Sequence, residues 1–403
     1  MASFRKREDN TWEYRIRYKD IYTGKYKEKS KRGFKRKADA QEAANNVYLS
    51  LSDGYIGDNN LVSFEGYSKS WLDSMKTTVR FNTYDSRRQS LNRINKEIGT
   101  IYISKINYRI VQRYLNKMVE KEYGSSTIRQ DFSTIKIVLL QAYREHLVHK
   151  DTLAGVKIPK GKQKKKVKWW TLDQLDKFLA GSNARLERLR KSRQTKNDYY
   201  EIITIRDRAI VMIMAGCGLR EGELCGLRLS SYDSQNHLLN IHHNVVKKSL
   251  DTSIYGYELQ NVLKTDNSFR TVPIPSSTWN AIDEWLEYRK ILNIDDMPNG
   301  DGMMFTSPSD TKHPMVPTYV NSRITCVYTR YGLPKISPQS LRHTYASFLL
   351  QSGVPAKQAQ MLLGHKDITT TLNIYTHVSE TDKRKAVNLL DTFLTKKSTQ
   401  PNE

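Results

Sequence analysis

Apolar and charged side chains alternate along the first part of the chain. Between positions 12 and 19, aromatic or aliphatic residues fill every even position and charged residues fill every odd one. A period of two is typical of a β-strand with one buried face. A turn follows at Thr23 and Gly24, lysines then alternate from position 25 to position 31, and residues 38–51 show helical spacing. The pattern predicts a small α+β unit over residues 1–58, with one basic sheet face and a helix on the other face.

The chain between positions 62 and 155 follows a different period. Apolar residues recur three and four positions apart, as in the stripe of Val111, Tyr114, Leu115 and Met118. This spacing is typical of amphipathic helices, so we expect an all-α bundle. Residues 156–168 follow, with six lysines in the nine positions from 160 to 168. Like charges at this density resist packing and predict an extended basic linker.

From position 169 the pattern predicts a larger, mainly α domain. Thr171 and Gln174 have the spacing of a capping box at a helix start. Alternating segments at 238–246, 259–264 and 270–274 predict a small antiparallel β-sheet. Helical spacing returns at 383–394. We therefore expect this domain to span residues 169–395, with residues 396–403 as a tail.

The composition adds a strong charge signal to this pattern. The chain has 403 residues and a formal net charge of +24, which favours a polyanionic partner: DNA, RNA or an anionic membrane surface. No run of about 18 apolar residues occurs, so a membrane-spanning helix is not expected. The three cysteines lack metal-type spacing, and the N-terminus lacks the apolar core of a secretory signal. These features predict a cytoplasmic protein without a metal site.

Residue types that suit phosphodiester chemistry lie close together near the C-terminus. Arg342 is followed by His365, and Tyr375 comes ten residues after that histidine. Cleavage of a phosphodiester needs a nucleophile, charge stabilisation on the phosphoryl oxygens, a proton donor for the leaving oxygen, and alignment. A guanidinium holds two phosphate oxygens at once, and a tyrosine hydroxyl is a nucleophile. The order of these residues predicts attack on a phosphodiester without a metal ion.

The C-terminal half resembles the catalytic domain of the tyrosine recombinases, the phage integrase family. The resemblance rests on four segments, which occur in the order that the family shows. These segments are residues 215–224, 263–275, 339–344 and 363–375.

This resemblance implies a multidomain fold. A three-stranded sheet with one helix would bind arm-type DNA sites at 1–58, and an all-α, SAM-like core-binding domain would follow at 62–155. The basic linker at 156–168 would lead to a catalytic domain at 169–395, which is mainly α with a small antiparallel β-sheet.

By the same resemblance, each segment supplies a defined catalytic group. Tyr375 is the nucleophile, and Arg220 and Arg342 hold the scissile phosphate. Lys264 lies in a β-hairpin and protonates the leaving 5′ oxygen. His365 hydrogen-bonds a phosphoryl oxygen.

One position departs from the family pattern. Many members have a histidine three residues before the second arginine, where this chain has Gln339. An amide donates a hydrogen bond to a phosphate oxygen but does not take a proton from tyrosine near neutral pH. We therefore expect Gln339 to act as a donor, and the general base is left open.

Glu223 is the acid expected to buttress Arg220.

The basic face of the N-terminal unit has two interpretations. It is either the solvated surface of a small domain or a sheet face that enters the DNA major groove. The resemblance favours DNA, because integrases of prophages and conjugative elements often carry an arm-binding domain at this point. The predicted DNA-binding residues are Arg15, Arg17, Lys19, Lys25, Lys27 and Lys29.

The resemblance implies a site-specific DNA recombinase that cuts and rejoins DNA through a 3′-phosphotyrosyl intermediate, and so integrates and excises a mobile element. Four protomers would synapse two duplexes at attachment sites. An excisionase or a host architectural protein is a further candidate partner. No cofactor, metal ion or membrane is implied.

Three alternatives stay open. A type IB topoisomerase uses similar chemistry on one duplex, although the N-terminal unit and the apolar stripe at 383–394 argue against it. A catalytically silent DNA-binding regulator on the same scaffold gains weight from Gln339. A basic RNA-binding protein accounts for the charge alone.

Overall fold

The structure is a computed structural model that divides into two compact units, Met1–Lys165 and Lys166–Glu403. Each unit has its own hydrophobic clusters. The predicted helix at 383–394 lies outside the described residues. Those residues are 2–19, 26–52, 62–148, 152–162, 169–191, 199–251, 253–261, 269–291, 302–308 and 311–375. Only the backbone is described at 19, 27, 46, 48–52, 291 and 373–375.

The first elements form the three-stranded sheet and helix that the sequence predicts. The strands are antiparallel and follow one another in the order of the chain. Tyr14 and Ile16 of the middle strand are buried together with Ala44 of the helix, because the odd–even alternation puts their apolar side chains on one face. The elements are β1 (Ala2–Lys6), β2 (Trp12–Lys19), β3 (Tyr26–Phe34) and α1 (Lys37–Ser52).

The strand register divides the basic residues between both faces of this sheet. Residues directly opposite each other in an antiparallel pair share a face. Lys29 lies opposite Ile16, and Lys31 lies opposite Tyr14, so both lysines belong to the face that α1 covers. The prediction of a single basic face is therefore wrong. Alternation within one strand shows which of its residues share a face. Which face of a second strand lies on the same side depends on the register of the pair, because a shift of one residue moves every side chain to the other face.

The open face of the sheet carries arginines. Arg15 lies opposite Ser30, and Arg17 lies opposite Glu28. Of the other predicted DNA-binding positions, Lys27 lies opposite Tyr18 in the register, and Lys25 lies outside the described residues. Position 19 is two residues after Arg17 in β2, so it belongs to the same face as the arginines. The arginines on the open face are Arg5, Arg15, Arg17 and Arg32.

The described residues from 62 to 148 form four helices around one core. The predicted apolar stripe of Val111 and its neighbours is buried, and Phe64, Leu115 and Ile135 are among the largest side chains with no exposure. The prediction of helices in this region is confirmed. Their bounds are α2 (Phe64–Ser74), α3 (Phe81–Ile98), α4 (Tyr108–Glu120) and α5 (Ser125–Arg144).

A buried carboxylate joins three of these helices. Asp131 of α5 has no exposed surface. Its oxygens accept hydrogen bonds from Arg93 of α3, through Nε at 3.0 Å and Nη2 at 2.6 Å, and from the Tyr114 hydroxyl of α4 at 2.8 Å. A buried charge is tolerated only when it is paired and hydrogen-bonded, so this triad fixes how α3, α4 and α5 pack.

Residues 152–162 lie along this helical domain. The backbone N–H and carbonyl of Lys157 both bond the Gln112 side chain, at 2.9 and 3.0 Å. Ser125 donates to the carbonyl of Gly161 at 3.1 Å, and a Cβ at Gly161 would lie 2.5 Å from the Tyr123 carbonyl. The start of the predicted linker is thus packed in place, whereas residues 163–168 lie outside the described residues.

The second unit is mainly helical, as predicted. Its central helix, α7, is apolar on most of its surface and is buried on most of it, which is typical of a helix inside a domain. Its helices are α6 (Leu172–Lys191), α7 (Tyr199–Cys217), α8 (Glu221–Cys225), α9 (Ser276–Ile291), α10 (Pro317–Arg330), α11 (Pro338–Gln351), α12 (Ala356–Leu363) and α13 (Ile368–Tyr375).

The predicted capping box is present at the start of α6. The Thr171 backbone N–H donates to the Gln174 side chain at 3.1 Å, and the Gln174 N–H donates to the Thr171 hydroxyl at 3.3 Å. Among the described helices, none is long and apolar enough to span a bilayer.

The small sheet differs in detail from its prediction. The segment predicted as one strand at 238–246 is interrupted at His242, and its two halves pair with different partners. The first half pairs with the strand at 270–273, and the second half pairs with the strand at 257–261. The strands are β4 (Tyr232–Asp233), β5 (Leu238–Ile241), β6 (His243–Lys247), β7 (Tyr257–Asn261) and β8 (Arg270–Pro273).

Replacing Asp131 with alanine should destabilise the chain by about 3–5 kcal/mol, because it leaves the Arg93 guanidinium without its buried partner. The matched control is Lys69→Ala. It breaks the exposed Lys69–Glu65 pair, for which we expect at most about 1 kcal/mol. Thermal unfolding followed by circular dichroism measures both. Equal shifts in the two variants would contradict the role of the triad.

Candidate active site

Glycine at position 218 brings Arg220 to the start of a short helix. Gly218 has φ +64°, a left-handed conformation that glycine adopts without strain. A Cβ at this position would lie 2.3 Å from the Tyr345 ring, so packing also requires glycine. The turn ends α7 and leaves Arg220 as the residue that precedes α8.

Glu223 of α8 is a buried carboxylate that accepts hydrogen bonds from two arginines. Arg220 donates through its backbone N–H at 2.9 Å and through Nη1 at 2.7 Å. Arg270 of β8 donates through Nη1 at 3.1 Å and Nη2 at 2.7 Å, one bond to each oxygen. Glu223 thus contacts Arg220 as a buttress would. Burial acts to raise the pKa of Glu223, but the hydrogen bonds and charge of Arg270, with the charges of Arg220 and Arg342, lower that pKa to about 2.

Arg342 of α11 is almost completely buried, with 1% of its surface exposed. Its Nη1 donates to the Gly218 carbonyl at 2.7 Å and lies 3.9 Å from a Glu223 oxygen. Its Nε is buried without a hydrogen-bond partner among the described residues. Burial, and then the charge of Arg220, lower the pKa of Arg342 to about 9. A buried N–H without an acceptor is costly, and an anion in this place would satisfy it.

The C-terminal end of α12 joins the three arginines to the histidine that follows it. The last carbonyls of a helix have no partner inside the helix and carry its partial negative charge. Here three successive carbonyls each accept from a different arginine. The pairs are Arg270 Nε with Leu362 at 3.1 Å, Arg342 Nη2 with Leu363, and Arg220 Nη2 with Gly364 at 3.3 Å.

His365 comes directly after this arginine-bound turn. Gly364 ends α12 with φ +62°, and the Nδ1 atom of His365 lies 2.9 Å from the hydroxyl of Thr371, a fully buried residue of α13. Burial, followed by the positive charges of Arg342 and Arg220, lowers the pKa of His365 to about 4. The imidazole is therefore neutral near pH 7.

The structure describes the other predicted catalytic residues only in part. Tyr375 is the last residue of α13, and its backbone lies one helical turn beyond Thr371; its side chain is not described. Gln339 is exposed and lies one turn before Arg342 in α11. Lys264 falls in the segment 262–268, outside the described residues. The structure thus brings Arg220 and Arg342 together beside the Glu223 carboxylate, and their charges act on His365.

Two contributors were not found from the sequence. The alternating pattern predicts Arg270 only as a strand residue, although Arg270 lies two positions before buried Val272 and so on the same face of the strand. A charged residue on the inward face of a strand requires a partner, and this signal was available. Thr371 carries no comparable signal, since its contact with His365 depends on how α13 packs.

The cluster is positive as a set. Three arginines (Arg220, Arg270 and Arg342) and one glutamate (Glu223) give 3 − 1 = +2. Within the described ranges, no group of three or more His, Cys, Asp or Glu side chains is placed to hold a metal ion. The arrangement is suited to an anion with several oxygens.

Three parts of the chain match known protein families. Residues 185–382 match the phage integrase family. Residues 3–51 match an arm DNA-binding domain, and residues 63–119 match the N-terminal SAM-like domain of phage integrases. Together the two phage integrase matches cover more than half of the chain. The chain belongs to this family. The resemblance seen in the catalytic segments is thereby confirmed.

Individual relatives agree with this assignment. A tyrosine recombinase XerC-like protein of Caldanaerobacter subterraneus subsp. tengcongensis is 28% identical over 371 residues, which are 87% of this chain and 88% of the relative. The prophage ps2 probable integrase of Lactococcus lactis subsp. lactis is 26% identical over 392 residues, 94% of this chain and 97% of the relative.

Solved structures share the fold of this integrase. The Tn1549 transposon integrase in complex with transposon right end DNA superposes with a TM-score of 0.63 at 21% identity, covering 82% of this chain and 99% of that chain. A lambda integrase tetramer bound to a Holliday junction gives a TM-score of 0.52 at 16% identity, covering 92% and 94%. At these identities the likeness shows the fold alone.

The lowered pKa of His365 predicts a pH dependence of stability. Its pKa is about 4 in the folded chain, whereas an unfolded chain has a value of about 6.5. Between these values the unfolded chain binds more protons, so stability falls as the pH decreases through this window. His365→Gln should weaken the fall in unfolding midpoint from about pH 7 to about pH 5.

The control for this measurement is His242→Gln, which changes an exposed histidine and should leave the pH dependence as it is in the wild type. An unaltered slope in His365→Gln would show that another group dominates.

Proposed function

We propose that this integrase is a site-specific DNA recombinase that cuts and rejoins DNA through a 3′-phosphotyrosyl intermediate, and so integrates and excises a mobile element. One observation supports this most strongly. Arg220 and Arg342 converge from separate segments on the buried Glu223, their charges act on His365, and the helix that packs beside His365 ends at Tyr375. A phosphoryl group and its nucleophile would meet at this place.

The arginines are proposed to hold the scissile phosphate. Arg220 keeps 44% of its side chain exposed, and the described part of the chain supplies no acceptor for the buried Nε of Arg342. Together they offer N–H donors to the non-bridging oxygens, whose negative charge grows in the transition state. The cluster needs no rearrangement to do so, because backbone carbonyls and Glu223 already fix both guanidinium groups.

The remaining roles complete the proposed reaction. The Tyr375 oxygen forms a bond to phosphorus and releases its proton to solvent, while the bond from phosphorus to the 5′ oxygen breaks and Lys264 gives that departing oxygen a proton. His365, neutral near pH 7, and Gln339 hydrogen-bond phosphoryl oxygens. The 5′ hydroxyl of a partner duplex then attacks the phosphotyrosine, and the bond energy kept in the covalent link makes ATP unnecessary.

The proposed partners are the DNA attachment sites and further copies of the chain. We propose that four protomers synapse two duplexes, by analogy with the lambda integrase tetramer on a Holliday junction. The N-terminal sheet is proposed to bind arm-type sites through the arginines of its open face, which include Arg15 and Arg17. Lys27 and Lys29 have the register of the opposite face, so neither is a candidate for the same contact. An excisionase or a host architectural protein remains a candidate partner.

Tyr375→Phe should abolish covalent attachment to DNA, because only the attacking hydroxyl is removed. Binding of the same duplex should change little. The assay is incubation with a nicked duplex that carries the attachment site of the mobile element encoding the chain, followed by denaturing electrophoresis. A covalent adduct in the variant would place the nucleophile elsewhere. Relaxation of a supercoiled plasmid without recombinant products would favour a topoisomerase.

Arg220→Ala and Arg342→Ala should each slow cleavage by a factor of roughly 10²–10³, since each removes a preorganised stabiliser of the phosphate. Their effects on folding should differ. Arg220 is partly exposed, whereas Arg342 is buried and holds carbonyls of two segments. Only Arg342→Ala should therefore lower the unfolding midpoint markedly. Single-turnover cleavage and thermal unfolding measure the two effects; cleavage at the wild-type rate would remove either residue from the phosphate site.

A further inference from the structure

Arg270 is a buried arginine whose side chain is fully engaged with other protein groups. It is the first residue of β8, and 7% of its side chain is exposed. Its Nη atoms span both oxygens of Glu223, at 3.1 and 2.7 Å, and its Nε donates to the Leu362 carbonyl at 3.1 Å. Each of its three nitrogens thus has a partner, so Arg270 is not placed to bind phosphate as Arg220 and Arg342 are.

The two-point contact matters because Glu223 in turn holds Arg220. A bidentate guanidinium fixes a carboxylate in one plane. In that plane the Glu223 oxygens reach the Arg220 backbone N–H at 2.9 Å and its Nη1 at 2.7 Å. A partly exposed arginine side chain has many rotamers to lose when it is ordered. The Glu223 carboxylate orders it, together with the Gly364 carbonyl that accepts from Nη2 at 3.3 Å.

No other described cation replaces Arg270 in this role. Arg342 is the remaining basic neighbour of Glu223, and its Nη1 lies 3.9 Å from the nearest carboxylate oxygen, beyond hydrogen-bond distance. Without Arg270, the carboxylate would be free to turn toward Arg342 and away from Arg220.

Arg270 also ties two parts of the chain to this cluster. In the small sheet it lies opposite Ile241, and along the chain it comes six residues after Lys264. Its bond to Leu362 fixes the turn that leads to His365. A Cβ on Gly364 would lie 3.1 Å from an Arg270 nitrogen, so the guanidinium packs closely against this turn.

We propose that Arg270 is a positioning residue of strand cleavage: it sets the orientation of the Glu223 carboxylate, which holds Arg220 in the geometry that the phosphate requires. This inference rests on the proposed recombinase function. It assigns to Arg270 an effect on the rate of cleavage that is transmitted through Glu223 and Arg220, without contact between Arg270 and DNA.

A double-mutant cycle tests this chain of contacts. The variants are Arg270→Met, Arg220→Ala and the two combined, assayed for single-turnover adduct formation on the nicked attachment-site duplex. Arg270→Met should slow cleavage by about 10–100-fold, by analogy with the loss of a group that orients a metal ligand, with little change in duplex binding. Combined with Arg220→Ala it should add almost nothing, because the residue through which it acts is already missing.

The matched control is Arg323→Met. Arg323 of α10 makes a similar buried, bidentate pair with Asp207, at 2.9 and 2.6 Å, and 13% of its side chain is exposed. Arg323→Met should lower the stability of the chain. Because Arg323 acts independently of Arg220, the cleavage rate of the double variant should fall by the product of the two single-variant factors. The same multiplicative result for Arg270→Met would overturn the proposal and leave Arg270 a merely structural role.

A second variant guards against misfolding. Arg270→Lys keeps the positive charge, but an ammonium does not span both carboxylate oxygens, so cleavage should still be slow while the unfolding midpoint stays close to that of the wild type. Cleavage at the full rate in this variant would overturn the proposal.

A leaving-group substitution separates Arg270 from Lys264. A duplex with a 5′-bridging phosphorothiolate at the scissile position needs no proton donor, so Lys264→Ala should recover on it, whereas Arg270→Met should remain slow. If Arg270→Met also recovered on this duplex, Arg270 would act by placing Lys264. That outcome would contradict the proposal that Arg270 acts through Glu223 and Arg220. A wild-type chain that forms no adduct at all would overturn the recombinase function itself, and the role of Arg270 with it.

Discussion

The pairing of the Glu223 carboxylate is the interaction on which the candidate active site depends. A buried carboxylate is costly unless positive charge and hydrogen bonds compensate for its lost hydration. Here Arg220 and Arg270 supply four hydrogen bonds, and Arg342 adds its charge at 3.9 Å. The three arginines carry two more positive charges than are required to balance the one negative charge of the carboxylate. This excess is what makes the cluster a receptor for an anion, since the arginines are held in place by protein groups and still lack a full complement of negative charge.

The backbone around the cluster completes this constraint. The end of α12 supplies three carbonyls to three arginines, and the turn at Gly364 directs the chain into His365. Gly218 allows α7 to end directly over the Tyr345 ring. Because segments far apart in sequence all contribute to this one cluster, a change in any of them alters the positions of its arginines. Preorganisation of this kind stabilises charge in the transition state without reorganisation during the reaction.

The N-terminal unit follows a different principle. Its helical domain is fixed by an apolar core and by one buried triad around Asp131, whereas its sheet presents arginines on the open face and lysines on the face of α1. The phosphate-binding character of a basic surface depends on which charges lie side by side. The register therefore decides which residues are candidates for DNA contacts, and it moves Arg5 and Arg32 into this group in place of Lys29.

The sequence by itself determined the domain types, the helices and most of the catalytic segments, because hydrophobic period and short motifs are local properties. Arg220, Arg342 and His365 were found in this way, and so was Glu223 beside Arg220. Tertiary structure alone decided the rest. Arg270 became part of the site because β8 pairs with β5 and passes beside α12. Thr371 reached His365 because α13 packs against it, and the parity between β2 and β3 was set by their pairing. Such contacts join residues whose spacing along the chain has no fixed relation to their distance in space, so no local pattern encodes them.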